Sequence, residues 1–447
     1  MAKAGHETEK RSGDEQIRAS YSLRLGLFYG ALFLILGVHL PYFPVWLDVR
    51  GLTAEQIAIV TAAPLFLRVF ITPTVAVIAD RSGRHKTLIN GLAWLALALT
   101  LLLSQAYGFW AILLFAVPLA ISYSTIIPLT ETIAVAGVRV HALDYGRMRL
   151  WGSITFVLAG FVGGWLIDSI GGGVVVACIL FGTLATALFG LRLPERAVSP
   201  PSASGGKDGT PAAAESRRGE SRAKGVGVAN ARRLVSSPVF VAFLIAVGAA
   251  QGAHGMFYTF GALAWHAQGI TTAWIGTLWA IAIAGEVVLF AYSGAIIRRF
   301  GPVKLMTVAT AAAVARWALM SLSPPLAALI PLQTLHTLTY GGSHLAAMHF
   351  ISRAVPEAAQ GTAQALYATV ASGVLMGCAT LASGWLYARV GGQGYLAMAA
   401  LAAIGFSCAL FVRARWDGRL LWVAPLETPC RAQAESGEPL KSKSRAP

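Results

Sequence analysis

Charge is what this chain has least of. Only 12% of its residues are Asp, Glu, Lys or Arg against 56% hydrophobic, with a mean hydropathy of +0.64. A water-soluble chain of 447 residues needs far more charged surface than that. Cysteine is scarce as well: of four, Cys178, Cys378 and Cys408 lie in apolar runs and Cys430 in a polar end, with no CxxC pair. Neither a disulfide framework nor a metal site is implied. Acidic residues are outnumbered, 20 against 35 basic, for a net charge of +15. The basic residues do not form one patch for nucleic acid, because they recur in every second polar loop. No P-loop and no HExxH sequence occurs, so the chain offers neither the usual ATP-binding turn nor the usual zinc cluster of a membrane enzyme.

What is abundant is long apolar sequence. Twelve runs of spanning length can be drawn, at about 23–47, 55–79, 87–105, 109–137, 149–169, 172–193, 237–264, 273–297, 303–322, 325–352, 362–389 and 392–413. The expected fold class is an all-α membrane protein of 12 transmembrane helices. The loops set its orientation. Lys3, Lys10, Arg11, Arg18 and Arg24 precede the first run, Arg81, Arg84 and Lys86 follow the second, and Arg139 and Arg147 precede the fifth. Arg298, Arg299 and Lys304 follow the eighth, while the opposite loops carry only Arg50 and Arg389. By the positive-inside rule both termini face the cytoplasm of a cell bounded by an inner (plasma) membrane. The first twenty residues lack a signal peptide's apolar core, so 1–22 is read as a cytoplasmic tail. Residues 23–194 and 237–413 then form two six-helix bundles. A Ser-, Gly-, Ala-, Pro- and Arg-rich cytoplasmic linker, 195–236, joins them, and a second tail, 414–447, follows.

The two bundles share a plan. Residues 51–86 and 269–304 align without a gap at a constant offset of 218, matching Gly51 to Gly269, Thr53 to Thr271, Gly83 to Gly301 and Lys86 to Lys304. Each copy buries one charge at the same place, Arg68 in the first and Glu286 in the second. An ionisable residue at mid-helix costs about 2.5–3.5 kcal/mol on insertion scales and is rare without a role. Others in this class are Glu131 and Arg316, with Arg149 near a helix start. Arg68 fits a structural ion pair or a site cation. For Glu131 and Glu286 function is the better reading, since burial favours holding a proton, a nearby arginine favours losing it, and a movable arginine could switch between the two.

Several motifs carry a resemblance. The turn Asp80-Arg81-Ser82-Gly83-Arg84-His85-Lys86 is similar to the signature turn of the major facilitator superfamily, with Ala76 where that pattern opens on glycine. The resemblance implies a conformational latch of Asp80, Arg81, Gly83 and Arg84, paired across neighbouring helix ends. The second copy has Arg298 in place of the aspartate. The turn Leu143–Ser153, with Gly146-Arg147-Met148-Arg149 opening the fifth helix, resembles the oligosaccharide:proton symporters, the lactose permease group. Carried over position by position, it makes Glu131 and Arg149 substrate-binding and Arg316 and His336 coupling residues. Phe156 replaces that group's sugar-stacking tryptophan and Thr339 its carboxylate, which argues against a sugar and leaves Glu286 as proton carrier.

LDYGRMRLWGS, QGAHGMFYTFGALAW and HLAAMHFI extend the likeness to the 3-phenylpropionate permease branch, over nearly the whole chain. Matching positions there include Gln251 to His254, Glu286, Arg316, Trp317, His336 and His344. His254 sits in a glycine-loosened break, which favours a cavity role, whereas His39 and His349 are read as bridges between helices. Tyr258, with Phe257 and Phe260, suits either packing or a substrate's ring.

The chain is therefore expected to be a secondary transporter of the major facilitator fold, two six-helix halves related by a parallel repeat, not an enzyme. Its expected activity is proton-coupled symport of a small organic anion such as an aromatic carboxylate. A sugar or nucleoside symporter and a drug:proton antiporter are the alternatives. The expected substrate site is Arg68, Glu131, Arg149, Phe156, His254 and Tyr258, and the proton-coupling group is Glu286, Arg316, His336 and His344. Three arginines against two glutamates imply a spare positive charge, with Arg149 the foremost candidate to await an anion. No metal and no cofactor is expected, the proton gradient being the driving force. The expected partners are the lipid bilayer, the substrate and the proton, with no nucleic acid, and the expected state is a monomer.

Overall fold

The computed structural model describes residues 2–196 and 227–422. Most of the expected linker (197–226) and the end of the expected C-terminal tail (423–447) lie outside the described residues. Among the described residues there is no strand.

The first half holds α1 (Ala2–Val49), α2 (Ala54–Ser82), α3 (His85–Ser104), α4 (Phe109–His141), α5 (Tyr145–Ile170) and α6 (Val174–Leu191). The second half begins with α7 (Pro238–Ala267), which pauses at Ala253 and His254. Next come α8 (Thr272–Ala291) and α9 (Ser293–Met320), the latter kinked at Gly301. In α10, Leu326–His336 and Ser343–Ala354 are joined by a π turn at Thr337–Gly342. In α11, Glu357–Tyr367 and Met376–Val390 are joined by a longer π segment at Ala368–Leu375, and α12 (Tyr395–Arg415) closes the half. Ten stretches among the described residues are long and apolar enough to cross a bilayer, with α11 and α12 counted as one and α10, divided by its π turn, not included. The helix of α1 starts at Ala2, well before its apolar run.

Local sequence explains where these rods begin and end. Thr53 and Gln56 close a capping box at the start of α2, and Asp144 caps α5 by accepting from the Arg147 N–H at 3.1 Å. Gly83 ends α2 in the left-handed conformation (φ +67°), and Gly301 sits at φ +70° in the kink of α9. The paired glycines Gly51 and Gly269 likewise share φ values, +79° and +81°. Large apolar side chains such as Phe70, Trp110, Phe161, Phe181 and Trp385 face outward, as a lipid-solvated surface allows and water does not.

Within the first half α1 packs on α5 and α6, and α4 on α2 and α3; in the second, α12 packs on α7 and α9. The halves meet mainly along two helix pairs, α5 with α8 and α2 with α11. At the α5/α8 crossing the backbones nearly touch. The Tyr42 hydroxyl donates to the Gly160 carbonyl at 2.7 Å and lies 3.2 Å from that of Thr272, and a Cβ on Gly276 would run into the Gly160 carbonyl. The α2/α11 pair adds an Arg389–Glu55 contact at 3.9 Å and the fit of Gly384 against Ala58.

Candidate functional site

Between the halves lies a cavity of about 850 Å³. Its wall draws on α1, α2, α4 and α5 from one half and α7, α8, α10 and α11 from the other. It is mostly aromatic and aliphatic, with few polar groups, the usual composition of a small-molecule pocket. Five of the expected substrate residues, Arg68, Arg149, Phe156 and Tyr258 directly and Glu131 through its contacts, gather at it; Glu286 and His336 line it too.

On the first half's wall, Arg149 Nε lies 3.7 Å from Glu131 Oε1, and the Tyr145 hydroxyl donates to Glu131 Oε2 at 2.5 Å. The guanidinium rests 4.0 Å from the centre of the Phe33 ring. Arg149 therefore has a carboxylate partner within the protein, contrary to the expectation that it waits for an anion. Asp144, close in sequence, is not that partner, since it caps the helix.

Arg68 is different. It is half-buried on the cavity wall, and among the described residues no carboxylate lies within ion-pair distance of it. Its hydrogen bond goes to the main-chain carbonyl of Ser372 on α11, at 2.8 Å and across the seam between halves.

The second half holds a buried polar cluster. Arg316 is fully buried, its Nη1 lying 3.3 Å from His254 Nε2, 3.2 Å from His336 Nδ1 and 3.2 Å from Thr339 Oγ1. Its Nη2 donates to Gln333 Oε1 at 3.1 Å, and its cation sits 4.4 Å from the Trp317 ring. All of these acceptors are neutral. The far side of His336 faces the cavity, with Nε2 at 3.2 Å from Glu286 Oε1, an ion-pair distance without hydrogen-bond alignment. Glu286, His336 and Arg316 thus form a chain from the cavity wall into the bundle.

Two expected residues sit elsewhere. His254 has no exposed surface and stands behind the wall, its Nδ1 at 2.9 Å from the Ala250 carbonyl and its ring between Tyr258 and Trp317. The pause in α7 turns it toward Arg316 rather than toward the cavity. His344, off the cavity wall, pairs with the Tyr367 hydroxyl at 3.0 Å and lies within electrostatic reach of Glu286. His39 does bridge helices, through Tyr123 at 3.1 Å. Among the signature-turn residues, Asp80 contacts His85 at 3.1 Å and Arg196 at 3.4 Å, stapling α2 to the start of α3 and to the chain after α6. Arg81 and Arg84 are exposed beside it.

Sequence reasoning passed over Tyr145, Gln333, Tyr340, Ser372 and Asp168. An acidic residue ending an apolar run was a usable signal for Asp168; for a main-chain carbonyl such as that of Ser372 there was none. Among the described residues no cluster of His, Cys, Asp or Glu could hold a metal.

Residues 22–396 match the family described as MFS_1 like. The chain belongs to this family of the major facilitator superfamily. Among curated members, the "Probable 3-phenylpropionic acid transporter" of Escherichia coli (strain K12) is 32% identical over 388 residues, covering 85% of this chain and 94% of that one. The "Maltose permease" of Geobacillus stearothermophilus is 26% identical over 364 residues, 81% of this chain and 87% of that one. In fold, the crystal structure of the nucleoside transporter NupG superposes with a TM-score of 0.69 at 16% identity, over 88% of this chain and 98% of that one. MFS_1-like membership makes this a multi-pass membrane protein related to secondary transporters.

Proposed function

We propose that this protein is a proton-coupled symporter of a small organic anion, an aromatic carboxylate such as 3-phenylpropionate, working by alternating access in the inner membrane. Twelve spans, six in each half, follow if α10 crosses through its π turn and α11 and α12 cross separately. The shared φ of Gly51 and Gly269 supports a parallel repeat of the halves. So does the pairing of α2 with α11 and α8 with α5, which a two-fold relation makes equivalent. With the basic loops cytoplasmic, the closed α5/α8 crossing lies on the outer side and the cavity belongs to an inward-facing state. The MFS_1-like relative named for 3-phenylpropionic acid directs the substrate class to this chain.

The observation that carries the coupling is the chain Glu286–His336–Arg316. It sets a carboxylate at the cavity wall, where it can gain or lose a proton as the cavity changes sides. Arg149 with Glu131, and the tyrosines around them, line a surface able to orient substrate. That neutral pair also suits a hydroxyl-rich ligand, so a sugar or nucleoside is the second reading, favoured by the maltose permease relative.

The deciding experiment is uptake of labelled 3-phenylpropionate, maltose and uridine into proteoliposomes holding an inside-alkaline pH gradient. Accumulation of the acid beyond that in protein-free vesicles under the same gradient, abolished by a protonophore, is expected. Accumulation of maltose or uridine instead would move the second reading to the front.

A further inference from the structure

We infer, on the reading of this protein as a carrier of organic anions, that Arg68 is the seat of the substrate's carboxylate. That seat is held by the Ser372 carbonyl, so an arriving anion takes over the bond that ties α2 to α11.

Of the arginines in the bundle, Arg149 already faces Glu131 and Arg316 is shut away behind the wall. Arg68 alone among them combines a place on the cavity wall with no carboxylate partner among the described residues. A cation in a low-dielectric cavity that holds only a carbonyl is under-compensated, and a full negative charge is the ligand it favours. The planar fork of arginine suits two carboxylate oxygens, where the carbonyl supplies one.

The carbonyl is itself a product of backbone geometry. Ser372 lies in the π segment Ala368–Leu375, where the ordinary i to i+4 ladder is broken: the N–H of Met376, four residues on, goes to the carbonyls of Ala371 and Gly373 instead. The segment is pressed against α2 at this level, with Gly373 against Val69 and Gly377 against Phe66. The Arg68 bond is therefore part of a packed contact between the halves, and moving the guanidinium onto a ligand removes a polar tie from that contact. Tyr340, from the other π turn, lies within electrostatic reach of both Arg68 and Glu286. Anion seat and proton site thus flank one side chain.

The test is binding of 3-phenylpropionate and its matched amide to the purified full chain, in wild type, Arg68→Gln and Arg68→Lys, by calorimetry. The wild type is expected to prefer the acid at least about tenfold, roughly 1.4 kcal/mol. Arg68→Gln should bind acid and amide alike, and Arg68→Lys should keep part of the preference. A variant that has merely lost its fold weakens both ligands together, so the acid-to-amide ratio isolates the charge effect. Full acid preference in Arg68→Gln would overturn the seat and leave the anion reading standing. Equal binding of acid and amide by the wild type would overturn the anion reading beneath it. A spin-label distance between α2 and α11 that shifts with the acid and not with the amide supports the exchange at Ser372; no shift with either overturns it.

Discussion

Asp168→Asn tests how the halves are held together at their closed end. Asp168 ends α5, and its two carboxylate oxygens accept from the N–H groups of Thr272 (2.8 Å) and Ala273 (2.9 Å), in the first turn of α8. Those N–H groups have no partner within their own helix, and Thr271, the residue placed to cap them, makes no side-chain cap. The carboxylate therefore caps, from one half, a helix of the other. A hydrogen bond to a charged group contributes about 1.5–3 kcal/mol, and a charge at a helix N-terminus about 0.3–1 kcal/mol. Asp168 is exposed, so screening reduces both. Asparagine keeps one acceptor and turns an NH2 toward the second N–H. The net loss for the closed arrangement is about 1–2 kcal/mol, which multiplies the opposite state about 5- to 30-fold. The assay is the labelling rate of a single cysteine at Thr61, on the cavity wall, by an impermeant maleimide applied from the α5/α8 side, with the native cysteines replaced. A rate within about twofold of the parent would refute this reading of the cap.

The remaining predictions concern the proton and the helix crossing. Glu286→Gln should abolish uphill, pH-driven accumulation while leaving exchange of substrate across the membrane, because exchange needs no net proton release; counterflow and uphill uptake in the same vesicles check this. Gly276→Ala should also open the closed end, since its methyl would press on the Gly160 carbonyl and the Tyr42 hydroxyl. Overpacking of this kind costs about 1–3 kcal/mol, read as faster labelling at Thr61 together with a lower melting temperature.

The helical membrane class was legible because it rests on run length and loop charge, which are additive along the chain. The glycine turns at 51 and 269 were legible too, since a positive φ almost dictates the residue. Side-chain partnerships were less so. Glu131 and Arg149 lie eighteen residues apart in sequence, and only the antiparallel return of α4 into α5 brings them to 3.7 Å, turning an expected lone cation into half of a pair. The two π segments were invisible to periodicity, because one widened turn barely changes an apolar pattern. Yet they hold Tyr340 and Ser372, both beside Arg68.

In the buried cluster an arginine faces no carboxylate, and on the proposed mechanism it still bears on the proton. Arg316 can only donate, so the imidazole nitrogen facing it, Nδ1 of His336, must accept. That places the ring's hydrogen on Nε2, 3.2 Å from Glu286 Oε1 though not aligned on it. His254 follows the same logic in reverse, giving its Nδ1 hydrogen to the Ala250 carbonyl and leaving Nε2 to accept from Arg316. An ionised Glu286 then lies beside the positive edge of that ring. A protonated Glu286 meets the same edge with a hydroxyl of its own and loses the attraction. On that mechanism Arg316 need not touch the carboxylate; it fixes one tautomer of His336, the ring beside Glu286. Its burial behind the wall keeps that tautomer fixed, because no water or substrate reaches Nδ1 to offer an alternative partner. On the proposed mechanism, the proton on Glu286 decides whether α8 and α10 are held together at the cavity wall, next to the side chain that would receive the substrate's charge.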